Sequence, residues 1–182
     1  MMRNMTLVLQ LFLVLTLSQF HTTVFASETK TYRNDQLGIE FTYLNTWERS
    51  NPPGNHAFAI ERKLKTNPGI LSIHVNNFTG KKEKFMDEVK SSPEKLISKL
   101  KDRFPGAEIL NKGNTFLGSY PAYYILTNYT LKNLNTEIDI TLTNIFCIKG
   151  TKIFLVNLET PLVHFDKTFE EVISMLATFN FR

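Results

Sequence analysis

Side chains that could carry out catalysis are few and widely spaced in this sequence. The only cysteine, Cys147, lies between Phe146 and Ile148 in an apolar stretch. Burial in such a stretch raises the pKa of a thiol and makes it unreactive. A thiolate nucleophile would also need a histidine beside it, which the fold would have to supply from a distant segment. We therefore expect Cys147 to pack in the core.

The histidines do not form a recognisable metal site. His56, His74 and His164 lack the i, i+2 or i, i+4 spacing that places two ligands on one strand or one helix. Three separate elements would have to converge to bind an ion. We expect no metal ion and no other cofactor.

One segment comes close to a phosphate-binding loop. Gly113–Tyr120 has the required glycine spacing, but Ser119 and Tyr120 replace the lysine and hydroxyl pair that contacts phosphate and magnesium. We expect Gly113 and Gly118 to turn the chain between strands instead.

Two acidic pairs, Glu137/Asp139 and Glu170/Glu171, could bind a cation or serve in acid–base chemistry. An exposed strand or helix face explains them equally well. The aromatic residues could line a groove, although side chains of this kind more often fill a core. They are Tyr43, Trp47, Tyr120, Tyr123, Tyr124 and Tyr129. Alternation along a strand places Tyr123 and Tyr129 on one face and Tyr120 and Tyr124 on the other.

Common hydrolase and zinc-peptidase motifs are missing from the sequence. This absence excludes the familiar forms of those activities. We expect a protein that is not an enzyme.

The charge distribution points to one surface. The chain has 21 basic and 17 acidic residues, and the segment 62–103 holds 11 of the basic and 5 of the acidic ones. Within it we select Lys95, Lys99, Lys101 and Arg103 as a partner-binding set, because they lie on the polar side of a predicted helix. Such a set would attract an anionic partner in a salt-dependent way. A solvated helix face is the alternative interpretation.

The N-terminus has the pattern of a signal peptide. Arg3 is followed by the apolar stretch Leu7–Leu17, and Val24-Phe25-Ala26 resembles a cleavage site. We predict that residues 1–26 are removed and that 27–182 form one domain, free in the periplasm or secreted. The stretch is shorter than the roughly 20 residues needed to span a bilayer, although an uncleaved anchor reaching Val24 stays open. A single cysteine, which allows no intramolecular disulfide, suits a bacterial exported protein.

Elements that would position these residues follow from the hydrophobic pattern. Strands are predicted at 30–33, 37–44, 57–64, 70–77, 108–112, 119–131, 137–148 and 152–158. Short turns between them require antiparallel neighbours. Helices are predicted from Ser92-Pro93 to about Phe104 and from Asp166, as the N-cap, to Ala177, with a shorter one at 85–90. These elements predict an α+β fold, an α/β/α sandwich whose central, mainly antiparallel sheet is flanked by helices.

Four segments together form a recognisable pattern: Gly38–Tyr43 followed by Trp47, Phe104–Ala107, Leu117–Ala122 and Phe165–Phe181. In these segments the chain resembles the PsbP-like family, whose members include PsbP, DcrB and Mog types. The resemblance implies an α/β/α sandwich and a binding or assembly role without catalysis. We expect an exported module that contacts an envelope protein or an anionic surface, and no nucleic acid. The alternative is a small-ligand carrier, or an unorthodox enzyme, with a pocket between sheet and helices.

Overall fold

The computed structural model describes residues 28–64, 68–133 and 136–182. They form a large sheet and a small sheet together with several helices, and the helices and the small sheet cover the two faces of the large sheet. The predicted signal peptide, residues 1–26, lies outside the described residues. Among the helices that are described, none has the length and apolar character needed to cross a membrane.

Strands dominate the described chain and all pair in antiparallel fashion. They are β1 (Thr29–Asn34), β2 (Ile39–Leu44), β3 (Glu48–Arg49), β4 (Phe58–Arg62), β5 (Gly69–Asn77), β6 (Glu108–Leu117), β7 (Tyr120–Asn133), β8 (Thr136–Lys149), β9 (Lys152–Pro161) and β10 (Asn180–Phe181). Seven strands form the large sheet, in the order β3-β4-β5-β9-β8-β7-β6. The predicted antiparallel run from β6 to β9 is confirmed, and β6 is longer than the predicted 108–112.

The N-terminal hairpin does not join the large sheet. Strands β1 and β2 instead form a small sheet with β10, in the order β1-β2-β10. Ile39, Phe41 and Tyr43 are buried on one side of β2 and belong to the main core, with the ring of Phe41 5.0 Å from that of Phe58. These apolar side chains of β2 are buried only if the hairpin packs on a face of the large sheet. The hairpin therefore lies over the large sheet and not at its edge.

The helices depart from the prediction at their boundaries. They are α1 (Lys82–Ser91), α2 (Pro93–Leu96), α3 (Ser98–Arg103) and α4 (Phe165–Leu176). The single helix predicted from Ser92 to Phe104 is interrupted at Ile97, whose ψ of 4° is not helical, and Ser92 provides no side-chain cap. The interruption places Ile97 in the core. Asp166 is not the N-cap of α4 but lies in its first turn, where a negative charge is favourable.

Each face of the large sheet has its own cover. Helix α4 and the small sheet pack on one face, which we call the α4 face, through residues such as Val172 and Phe179. Helices α1 to α3 pack on the opposite face through Val89 and Ile97, against Ile125 of β7. The central strands are buried on both sides, as their apolar runs predict. The predicted α+β sandwich is confirmed, with the small sheet as an addition to one layer.

Candidate functional site

The four predicted partner-binding residues lie on the outer layer of helices. Lys95 belongs to α2, and Lys99, Lys101 and Arg103 belong to α3. The apolar sides of these helices pack on the sheet, so the cationic groups point to solvent. We call the solvent side of α1 to α3 the basic surface.

Two of these four cations form exposed ion pairs within the basic surface. The Lys101 ammonium lies 2.6 Å from a Glu94 carboxylate oxygen, and the Lys95 ammonium lies 3.8 Å from one of Glu88. In the described parts of the chain, Lys99 and Arg103 take part in no ion pair, and the Arg103 guanidinium lies 5.1 Å from the centre of the Phe104 ring. Lys99 and Arg103 are therefore the members of the set whose charge is available to a partner.

Cys147 is buried in β8, as predicted. Burial raises the pKa of its thiol to about 11, against a smaller lowering effect of Lys82. The thiol is therefore protonated at neutral pH. It contributes packing rather than a nucleophile.

The side chains of His56 and His74 are in contact, which their spacing in the sequence did not predict. The ring centres of His56 and His74 are 4.3 Å apart. His74 Nδ1 lies 2.9 Å from the carbonyl oxygen of Asn55, and burial, followed by the proximity of His56, lowers the pKa of His74. Within residues 28–64, 68–133 and 136–182, no three histidine, cysteine or carboxylate side chains gather to hold a metal ion.

The first acidic pair has structural partners. The hydroxyl of Thr130 donates to Asp139 at 2.8 Å, and the ammonium of Lys132 lies 2.8 Å from Glu137. Each carboxylate is held by the residue directly across on β7, so the two do not act as a pair.

In the second acidic pair, Glu171 makes two contacts with other residues of the described chain. It accepts a hydrogen bond from the indole of Trp47 at 3.0 Å and contacts the guanidinium of Arg62 at 3.0 Å. Trp47 is fully buried. Glu171 therefore links α4 to β4 and to the core, a role that the sequence pattern did not indicate.

The glycine-rich segment forms a hairpin and no phosphate cradle. Gly118 has a φ of +56° and turns the chain between β6 and β7, as predicted. Gly113 does not turn the chain: it lies inside β6, where an added Cβ would come within 3.0 Å of the Tyr124 ring. Gly113 therefore makes room for Tyr124.

The predicted separation of the tyrosines is confirmed. Tyr124 lies in the core on the α4 face, and Tyr120 packs against that core. Tyr123 and Tyr129 lie on the opposite face. Desolvation raises the pKa of Tyr124.

A groove of about 460 Å³ runs between α4 and strands β6 to β8. Helix α4 supplies Phe169, Ile173 and Leu176, and the sheet supplies Tyr124 and Ile145. Its other lining residues are Thr115, Phe116, Gly118, Ser119, Thr143, Ala177 and Phe179. All twelve lining residues are uncharged. Of the residues singled out in the sequence, Tyr124 and four members of the glycine-rich segment line this groove: Thr115, Phe116, Gly118 and Ser119.

Several threonine hydroxyls on the α4 face of the sheet are buried without hydrogen-bond partners among the described residues. Thr143 is 4% exposed and lines the groove, and its Oγ1 has no partner among the described residues. Thr141 precedes it on the same face of β8, and Thr160 lies across from Thr141 on β9. Their hydroxyls also lack partners in the part of the chain that the structure describes. Polar residues at alternate, inward positions of a strand are the sequence signal that would have identified them.

Comparison with known proteins identifies the fold of this chain but not its activity. Neither family models nor curated protein sequences gave a match. Cyanobacterial PsbP (CyanoP) from Synechocystis has a similar structure, with a TM-score of 0.64 and 15% identity over 88% of this chain and 96% of CyanoP. LpqN, described as involved in cell envelope biogenesis of Mycobacterium tuberculosis, has a TM-score of 0.59 and 8% identity over 84% of this chain and 90% of LpqN. A Bacteroides thetaiotaomicron protein has a TM-score of 0.56 and 12% identity, and this chain covers 48% of it. At these identities the likeness shows the fold alone: this chain has the PsbP-like fold.

Proposed function

We propose that this protein is an exported, non-enzymatic binding module that docks on an anionic partner in the cell envelope through its basic surface. One observation carries the proposal: helices α1 to α3 bury their apolar sides on the sheet and turn their cations to solvent. Between residues 81 and 103 the chain has eight basic and five acidic residues. Exposed charge of one sign promotes association with a surface of the opposite sign.

The charge available to a partner is concentrated in few residues. Lys99 and Arg103 lie outside the ion pairs of the described chain, whereas Lys95 and Lys101 face Glu88 and Glu94. A partner would therefore gain most from Lys99 and Arg103. The attraction would weaken as the ionic strength rises, because the Debye length is about 10 Å at 0.1 M salt and shorter at higher salt.

Non-enzymatic action is supported by the state of the residues that could do chemistry. The Cys147 thiol is buried and protonated, and Asp139 and Glu137 are held by Thr130 and Lys132. Export is supported by the signal pattern at residues 1–26. An envelope role is also supported by the fold shared with LpqN, a protein described as involved in cell envelope biogenesis.

The test is binding by a charge-reversal variant. Lys99→Glu with Arg103→Glu removes the available cations, and Lys30→Glu with Lys167→Glu makes the same change in net charge at exposed sites on β1 and α4. Tagged full-length proteins are expressed in the source cells and crosslinked in the envelope. Partners and the mature N-terminus are identified by mass spectrometry. In parallel, each protein is sedimented with phosphatidylcholine vesicles that contain phosphatidylglycerol.

The proposal requires that the Lys99/Arg103 variant loses its partner or its vesicle binding while the Lys30/Lys167 variant keeps it. Loss of a crosslinked protein without vesicle binding would identify an acidic protein as the partner, and loss of vesicle binding would identify the lipid surface. Equal binding by both variants would overturn it. Recovery of the protein from the soluble cytoplasmic fraction with residues 1–26 still attached would also overturn it.

A further inference from the structure

The segment that joins β3 to β4, residues 50–57, lies against β5 and is anchored by its backbone only at its two ends. At one end, Ser50 donates its N–H to β4 at 3.1 Å, and at the other end Ala57 donates to β5 at 2.8 Å. Between these anchors, Pro52 and Pro53 have no N–H to donate. We call residues 50–57 the strap.

Two histidine rings hold the middle of the strap. His74 of β5 donates from Nδ1 to the carbonyl oxygen of Asn55 at 2.9 Å, and Nε2 of His56 lies 3.1 Å from the carbonyl oxygen of Pro53. Within the described chain, residues 51–55 make no other hydrogen bond. The two rings also contact each other, with centres 4.3 Å apart. The histidines therefore tie the middle of the strap to the sheet.

These contacts suit neutral rings. A carbonyl oxygen only accepts hydrogen bonds, so His74 carries its proton on Nδ1 and His56 carries its proton on Nε2. The second nitrogen of each ring is then unprotonated. In His56 this nitrogen, Nδ1, is buried without a partner among the described residues, whereas Nε2 of His74 lies 3.5 Å from the Ser72 hydroxyl. A second proton on His56 would have no acceptor in the closed strap, and two protonated rings in contact would repel each other.

The neighbouring elements supply no counter-charge for this pair. Among the described residues, His56 is the titratable group that acts on His74, whose pKa is lowered by burial and then by His56. Glu61 of β4 lies in register with β5 four residues away from His74, and Arg49 of β3 lies against rings of the main core. Leu155 of β9 lies across from His74 and packs with the apolar side of α1. Protons on the two rings are therefore accommodated only when the rings separate.

We propose that the strap is a pH-sensitive closure, which the neutral His56–His74 pair holds on β5 and which protonation of these rings releases as the pH falls from 7 towards 5. Opening frees Asn55 and exposes both imidazoles while the sheet stays folded. The sign follows from linkage: a histidine that binds its proton more readily in the open form favours opening below its ordinary pKa of 6.5. This closure is independent of the proposed docking function, and its test leaves the cations of the basic surface unchanged.

The test measures the population of the open strap in the purified protein by NMR relaxation dispersion of the Gly54, Asn55 and His56 amides, which reports exchange on the microsecond to millisecond timescale. Between pH 7.0 and 5.5 this population should rise about tenfold, because opening is linked to the uptake of a proton. His56→Gln combined with His74→Gln should remove the rise. His164→Gln is the matched control and should keep it, since His164 is the third histidine of the described residues and lies between β9 and α4.

Four results would overturn the proposal. They are an open population that stays constant with pH in the native protein, an undiminished rise in the double variant, loss of the rise in His164→Gln, and equal dispersion in the amides of β8 and β9. The last result would show that the whole sheet opens and not the strap. If the double variant does not fold, His56→Gln alone decides, because it removes the charge beside His74 and must at least halve the rise.

Discussion

Glu171 offers the sharpest test of how this fold is held together. Its carboxylate accepts the indole hydrogen bond of the fully buried Trp47 and contacts Arg62, with side-chain exposures of 18% for Glu171 and 17% for Arg62. Glu171→Ala leaves the buried indole N–H unpaired and the guanidinium without its counter-charge. We expect this substitution to destabilise the protein more than a typical surface substitution does.

The magnitude follows from the two contacts. A hydrogen bond to a charged group contributes about 1.5–3 kcal/mol, and a partly exposed ion pair adds at most about 1 kcal/mol. The free energy of unfolding should therefore fall by about 2–4 kcal/mol. With a urea dependence of about 2 kcal/mol per molar, the midpoint should move down by about 1–2 M. Trp47 is the only tryptophan, so its fluorescence follows unfolding directly.

Two further variants separate this contact from a helix effect. Glu170→Ala makes the same change at the neighbouring, exposed position of α4, and its free energy of unfolding should stay within about 0.5 kcal/mol of the native value. Glu171→Gln keeps an acceptor for the indole and should lose about half as much stability as Glu171→Ala. If Glu171→Ala and Glu170→Ala unfold at the same urea concentration, the assigned role of Glu171 is wrong.

Further predictions concern a turn, the thiol and a histidine. Gly118 and Gly150 have φ values of +56° and +57°, but only at Gly118 would a Cβ meet a backbone oxygen, at 2.7 Å. Gly118→Ala should thus lower the melting temperature by clearly more than Gly150→Ala does, because a Cβ at Gly150 would have no atom within 4 Å. Equal decreases in the two variants would refute the steric argument. Because the pKa of Cys147 is raised to about 11, a disulfide reagent at pH 8 should label the folded protein no faster than it unfolds, and rapid labelling would show that the thiol is accessible. Burial lowers the pKa of His74, so as the pH falls the unfolded chain binds a proton at this histidine before the folded protein does. The free energy of unfolding should therefore decrease as the pH falls below 6.5, the ordinary pKa of histidine. In His74→Asn, the urea midpoint should change less between pH 7 and pH 5 than it does in the native protein.

The strands could be predicted because their signals are local. Alternation over Ile39–Leu44 and the short turn at Gly150 fix which neighbours pair and in which direction. The same signals could not place β1 and β2 in a second sheet. That arrangement depends on β10, more than 130 residues later, which pairs with β2 at Glu40 and Ile39.

The candidate sites were predictable to different degrees. The basic surface follows from the helical spacing of Lys95 to Arg103, although spacing could not show that Glu88 and Glu94 form ion pairs with two of its lysines. The groove could not be predicted, because it depends on how far α4 stands from β6. The interruption at Ile97 was also missed, since its apolar character fits a continuous helix as well as a bend into the core.

Both ends of the described chain meet in the small sheet. The middle strand β2 comes from the first residues of the domain, and its two neighbours come from the start and from the final residues. Phe41 stacks on Phe179, with ring centres 5.6 Å apart, and the backbone of Arg182 bonds to Gly38. This layer therefore cannot assemble while residues 179–182 are still inside the ribosome. A nascent chain would keep part of the α4 face of its large sheet uncovered until residues 179–182 have emerged, so the core on that face closes only after they have been made.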